Sequence, residues 1–101
     1  MENSKHWEVR EIKLGNVKVG KQKVVVFKAL SDLPSIAEIS ADCGCTTLKW
    51  SDKDKALAVT FKAGKFPKHI VGAIQPFTKR IYVTFEDESV DILTLTGTKI
   101  R

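Results

Sequence analysis

The chain has 101 residues, 43% of them hydrophobic and 29% charged, which is one domain's worth of core and a globular balance that excludes extended disorder. Its net charge of +5 is unevenly placed: residues 49–80 carry eight basic residues against Asp52 and Asp54, a balance of +6, and the rest carries nine basic and ten acidic residues, a balance of −1. Two cysteines allow at most one internal disulfide, so this is no disulfide-rich scaffold and stability must rest on apolar packing.

The opening Met1-Glu-Asn-Ser-Lys-His6 is polar and holds no apolar stretch of the kind a secretory signal requires. Nor does any apolar run reach the length of a bilayer-spanning helix. The expectation is a flexible tail over residues 1–6, a single domain over 7–101, no membrane partner, and a cytoplasmic or virion-associated location.

Along the chain the dominant period is two. Trp7 to Leu14 reads as a first strand ending at Gly15-Asn16, with Gly20 closing the short Val17-Lys18-Val19 that follows. Lys23 to Ala29 is rich in β-branched residues and apolar on both faces, as a central strand would be. Ser31 to Pro34 is a turn, after which Ile39, Ala41 and Cys43 share one face of a further strand. Ser51 to Lys55 is the next turn. Leu57, Val59 and Phe61 then alternate with Ala58, Thr60 and Lys62 in a half-buried strand.

The segment from Ala63 to Phe77 holds two glycines and two prolines around Ile70-Val-Gly-Ala-Ile74, and reads either as a long loop or as a short strand with irregular flanks. Ile81, Val83 and Phe85 mark another half-buried strand, Glu86 to Ser89 a hairpin tip, and Leu93 and Leu95 one face of a last strand closed by Gly97. No window combines helical caps with a 3.6-residue period. Six or seven short strands with turns between them predict an all-β fold, a sandwich or barrel rather than a βαβ arrangement.

The order of these signals resembles one family over nearly the whole chain. The residues that carry the resemblance are Leu14-Gly-Asn-Val-Lys-Val-Gly20, a Val-Val-Phe-Lys strand, Pro34, Cys43-Gly-Cys-Thr-Thr47 with Trp50 shortly after, a Lys-Arg-Ile-Tyr-Val strand and a closing Leu93-Thr-Leu-Thr-Gly97. Together they resemble the bacterial and phage DUF1573 family, whose name records an unassigned function and which is related to the Ig-like domains of Hydin and other ciliary and centrosomal proteins. Two features depart from the family pattern. Asp52-Lys53-Asp54-Lys55 stands where such domains usually have a Pro-Gly turn, and the Ala63–Phe77 connection is longer and more apolar. The resemblance implies an immunoglobulin-like β-sandwich of about seven antiparallel strands, acting as an interaction or structural module, and it brings no catalytic residues.

Candidate chemistry is sparse. If the strand continues through Gly44, Cys43 and Cys45 project to the core face with Ile39 and Ala41. Three readings follow: two reduced thiols packed under a turn, a redox-active Cys-x-Cys disulfide, or half of a metal site with His6 and His69 as the only soft partners. The packed thiols are the reading adopted. His69 reads as an exposed loop residue, because residues 55–85 contain no Asp or Glu to orient it. His6 falls in the tail. Asp87, Glu88 and Asp91 read as a solvated acidic tip, with weak cation binding as the alternative. Trp50 reads as an anchor covering the Cys-Gly-Cys turn, or else as an exposed aromatic platform.

Between Lys62 and Arg80 there are five basic residues and no acidic ones. The candidate interaction surface is therefore Lys62, Lys65, Phe66, Lys68, His69, Phe77, Lys79 and Arg80, basic groups interleaved with apolar anchors. The competing reading is that Ile70–Ile74 is a buried edge strand. The function expected is a non-enzymatic Ig-like module binding a protein partner, an accessory component of a phage or bacterial assembly, without cofactor or metal and existing as a monomer or weak dimer. Nucleic-acid binding through the basic 49–80 region is the second reading. A Cys-x-Cys thiol or metal site is the third.

Overall fold

The computed structural model describes residues 6–30, 33–42, 44, 46–64 and 74–101. All regular elements among them are strands: β1 (Glu11–Lys18), β2 (Gln22–Lys28), β3 (Ile36–Ala41), β4 (Thr46–Ser51), β5 (Ala56–Lys62), β6 (Ile74–Phe85) and β7 (Val90–Ile100). They form a four-stranded sheet in the order β1-β7-β6-β3 and a three-stranded sheet in the order β2-β5-β4. This is an all-β sandwich, one of the two architectures that the alternating sequence predicts, and it is consistent with the Ig-like arrangement that the family resemblance implies.

Period-two runs build the core. Leu57, Val59 and Phe61 of β5 face Ile81, Val83 and Phe85 of β6 and Leu93 and Leu95 of β7, all buried. Phe27 adds the inner side chain of β2, and Trp7 fills the space beside it. Each such side chain contributes about 1.5–3 kcal/mol when fully withdrawn from water. Lys55, in the turn before β5, has a positive φ of 51°, and Glu88 has one of 75° at the β6–β7 turn. These two turns fall where the sequence places them.

One pairing departs from the expected antiparallel set, because β1 runs parallel to β7 from Glu11↔Thr94 to Lys18↔Ile100. The cause is a change of sheet near the start of the chain. Trp7 first bridges Ala29 in antiparallel sense, with the Glu8 amide donating to the Lys28 carbonyl and the Leu30 amide donating to the His6 carbonyl. The chain then crosses over, the Thr94 amide donates to the Arg10 carbonyl, and β1 continues along β7. What reads in sequence as one strand from Trp7 to Leu14 is thus two short pairings in different sheets.

Gly15-Asn16 does not end β1. The register slips between Lys13 and Asn16, and Gly15 takes the left-handed φ of 73° that a bulge favours. The extra residue resets the alternation, so Leu14 and Val17 both point inward despite their odd spacing. Gly97 likewise lies within β7 rather than closing it. Beside it, a methyl group would come 2.8 Å from the Phe77 ring and 2.9 Å from the Gly15 carbonyl oxygen, so only glycine lets the bulge and the ring lie against β7.

β6 begins earlier than Ile81 suggests, at Ile74, and pairs with β7 along its whole length. Residues 65–73 lie outside the described set, so only the Ile74–Phe77 end of the ambiguous segment is placed, and that end is strand. Pro76 sits there without cost. The Arg80 carbonyl and amide both meet Asp42 beyond the end of β3, so by alternation the nitrogen of Pro76 also points away from β7, where no ladder bond is needed.

Candidate interaction surface

The one cluster of ionisable side chains drawn into the interior among the described residues centres on Asp91. Its Oδ2 accepts from the Trp7 Nε1–H at 2.9 Å and lies 2.7 Å from His6 Nδ1, while Oδ1 is 3.8 Å from Arg10. The His6 ring stands edge-on to Phe85, 5.2 Å between centroids. A carboxylate only accepts, so the His6 contact is made through a protonated Nδ1. The arrangement ties the opening segment to β7: Trp7 fills the core, and its indole N–H finds the acceptor that burial demands.

Sequence reading places Asp91 in a solvated tip. It is instead nearly buried, because it shares the inward parity of Leu93 and Leu95 on β7. That parity is visible in the sequence, and the neighbouring Asp87 and Glu88 mask it. Asp87 does lie in the exposed turn, where the Ser89 hydroxyl and then the Ser89 amide bond its carboxylate and hold it below the usual carboxyl range. No grouping of acidic, histidine or cysteine side chains suited to a metal occurs among the described residues. Cys43, Cys45, Lys65, Phe66, Lys68 and His69 lie outside that set. Trp50 is half-buried and packs its ring edge-on to Trp7, 6.0 Å between centroids.

The remaining members of the predicted basic surface do not share a face. Lys62 is exposed with the outward parity of Ala58 and Thr60, on the three-stranded sheet. Arg80 is exposed with the outward parity of Thr78 and Tyr82, on the opposite sheet. Phe77 points inward and stacks on Phe61 at 4.5 Å, with 21° between the rings, so it closes one end of the core. Lys79 follows the same inward row, between Phe77 and Ile81, and is half-buried there.

The structure exposes apolar side chains elsewhere. On β2, Val24 is 61% and Val26 49% exposed. Register places Val24 beside Thr60 and Thr47, Val26 beside Ala58 and Lys49, and Lys28 beside Ala56 and Ser51. The outer face of this sheet is therefore a low floor of Val, Ala and Thr edged by lysines. On the other sheet Val90 and Ile92 are exposed beside Thr84 and Tyr82.

Charge separates the two sheets. The strands of the three-stranded sheet contain Lys23, Lys28, Lys49 and Lys62 and no acidic residue. Those of the four-stranded sheet mix Glu11, Glu38 and Asp91 with Lys13, Lys18, Lys79, Arg80 and Lys99. A cleft of about 470 Å³ opens between the approach to β3 and the β4–β5 turn, lined by Leu33, Pro34, Ile36, Trp50, Asp52 and Lys55. Its two charges answer each other, Lys55 Nζ lying 3.4 Å from Asp52. No helix is long and apolar enough to cross a membrane among the described residues. Compared with protein-family models, curated proteins and solved structures, the chain has no significant match.

Proposed function

We propose that the domain is a non-enzymatic interaction module that docks through an outer sheet face onto a protein partner in a larger assembly. The observation that carries this reading is the set of aliphatic β-branched residues standing exposed on its strands: Val24 and Val26 on one sheet, Ile74, Val90 and Ile92 on the other. Scattered exposed aliphatics are ordinary; here register sets Val24 and Val26 together on one outer face and Val90 and Ile92 together on the other, with Ile74 at the far end of that second face. The resemblance of the whole chain to the DUF1573 family supports the same reading and suggests an accessory role in a phage or bacterial assembly. The buried Asp91 group is assigned to holding the fold together, since its carboxylate is occupied by His6, Trp7 and Arg10.

In-cell cross-linking of the tagged chain in its native source, read by mass spectrometry, tests the proposal. The expected result is one protein recovered reproducibly through residues of a single outer face. Failure to recover any partner, together with turnover of a substrate by the purified chain, overturns it. The acid-free sheet gives a second reading, nucleic-acid binding. That reading requires a mobility shift at low salt that weakens steeply as salt rises.

A further inference from the structure

The three-stranded sheet ends at β2, and the backbone shows which groups its outer edge offers. The Ala29 amide donates inward to the Lys55 carbonyl, and the Lys21 carbonyl accepts from Ala63. By alternation, odd-numbered residues of β2 bond to β5 and even-numbered ones face the free edge. The edge is competent to take a strand, because the Lys28 carbonyl already accepts from the Glu8 amide and the Leu30 amide donates to the His6 carbonyl, in antiparallel sense. The opening segment then leaves for the other sheet. Among the described residues, nothing pairs with the edge at Gln22, Val24 and Val26.

From this we propose that the free edge of β2, from Gln22 to Val26, takes up an extended acidic segment of a partner protein as an added strand. The inference rests on the interaction-module reading and specifies its surface. Backbone groups of the even residues supply the ladder, while Val24 and Val26 and the Ala58–Thr60 floor receive the incoming strand's apolar side chains. Lys28, Lys49 and Lys62, which share that outer face, receive its carboxylates.

Two other occupants fit less well. A second copy would set lysine-bearing edges against each other, the arrangement by which edge lysines discourage self-pairing. A nucleic acid would find neither the aromatic rings that stack bases nor an arginine fork on β2, β4 or β5, apart from Trp50 and the Phe27 and Phe61 rings, which face inward.

The test uses the full isotope-labelled chain and a short synthetic peptide that carries Val and Glu together on one face of the strand and Thr on the other (Val-Thr-Glu-Thr-Val-Thr-Glu), followed by amide NMR. Shifts should concentrate on residues 22–28, fade with added salt, and be absent with a Lys–Val peptide of equal length and pattern. Val24→Pro removes an edge-facing N–H that β5 does not use, so the fold should survive and binding should fall about tenfold or more. Should that variant melt early, the double change Lys28→Glu and Lys49→Glu takes its place, with loss of binding and an unchanged melting temperature expected.

Undiminished binding by a folded variant, equal binding of the Lys–Val peptide, or binding of a single-stranded oligonucleotide to the same residues in preference to the acidic peptide would each overturn the inference. Shifts confined to the Val90–Ile92 face would overturn it too, while leaving the interaction-module reading intact. That reading stands or falls separately on the cross-linking result.

Discussion

At Asp91 one carboxylate oxygen serves two donors, the indole N–H of Trp7 and Nδ1 of His6. Trp7 is almost wholly buried, so its N–H has no water to turn to if that acceptor is lost. Asp91→Ala should therefore cost about 2–3 kcal/mol, the penalty of leaving a buried donor unpaired, read as a lower urea midpoint. Asp91→Asn, which keeps a carbonyl acceptor in place, should cost distinctly less. Equal losses for the two would show that the indole bond is not what matters. A gentler effect is expected at Asp87, where the Ser89 hydroxyl is the largest of the causes lowering its pKa. A depressed folded pKa contributes stability above the unfolded value and loses it as pH falls through the folded one. Ser89→Ala should raise the Asp87 pKa toward the ordinary carboxyl value in an NMR titration. An unmoved titration curve would assign the shift to the backbone bond instead.

Among the strands, β1 and β7 show where local pattern misleads. The glycines at 15 and 97 look like terminators, yet both lie inside strands because each answers the other across the parallel pair. Gly15 bulges with its carbonyl toward Gly97, and Gly97 has no side chain in its way. Gly97→Ala should lose about 1–3 kcal/mol, the usual range for forcing atoms into a packed site, because the carbonyl it meets is backbone and cannot swing aside. Gly15→Ala meets no neighbour and should lose only about 1–2 kcal/mol from its positive φ. Denaturant melts of the two variants check that order. On β2 the alternation of backbone partners predicts an alternation of exchange. Amides of Val25 and Phe27, turned toward β5, should exchange slowly with solvent deuterium, and those of Val24 and Val26 quickly. Uniform protection along β2 would mean that its outer edge is already covered.

For the molecule as a whole, the sandwich was legible because its core strands alternate cleanly: Leu57-Val59-Phe61 and Ile81-Val83-Phe85 need no partner to be recognised. Pairing was not legible. Nothing between Trp7 and Lys18 announces that the chain leaves the end of β2 for β7, since that choice is made by contacts between the two ends of the chain. The surface suffered for the same reason. Lys62 and Arg80 are near in sequence, but the chain turns from one sheet to the other between them, so their charges point to opposite sides of the sandwich. The exposed valines of β2 were visible as an apolar run and misread as central, because a strand apolar on both faces looks the same whether its outer face is covered or open.

The parallel meeting of β1 and β7 also decides how the domain would bear mechanical load. Tension entering through the chain ahead of β1 pulls at its Glu11 end, and tension leaving beyond β7 pulls at Ile100, the opposite end of the paired stretch. The two strands are then drawn lengthwise past each other. Their hydrogen bonds share the strain and must fail together, instead of parting one at a time as in a peeled hairpin. A small sandwich of modest equilibrium stability can thereby resist stretching well beyond what its unfolding free energy suggests.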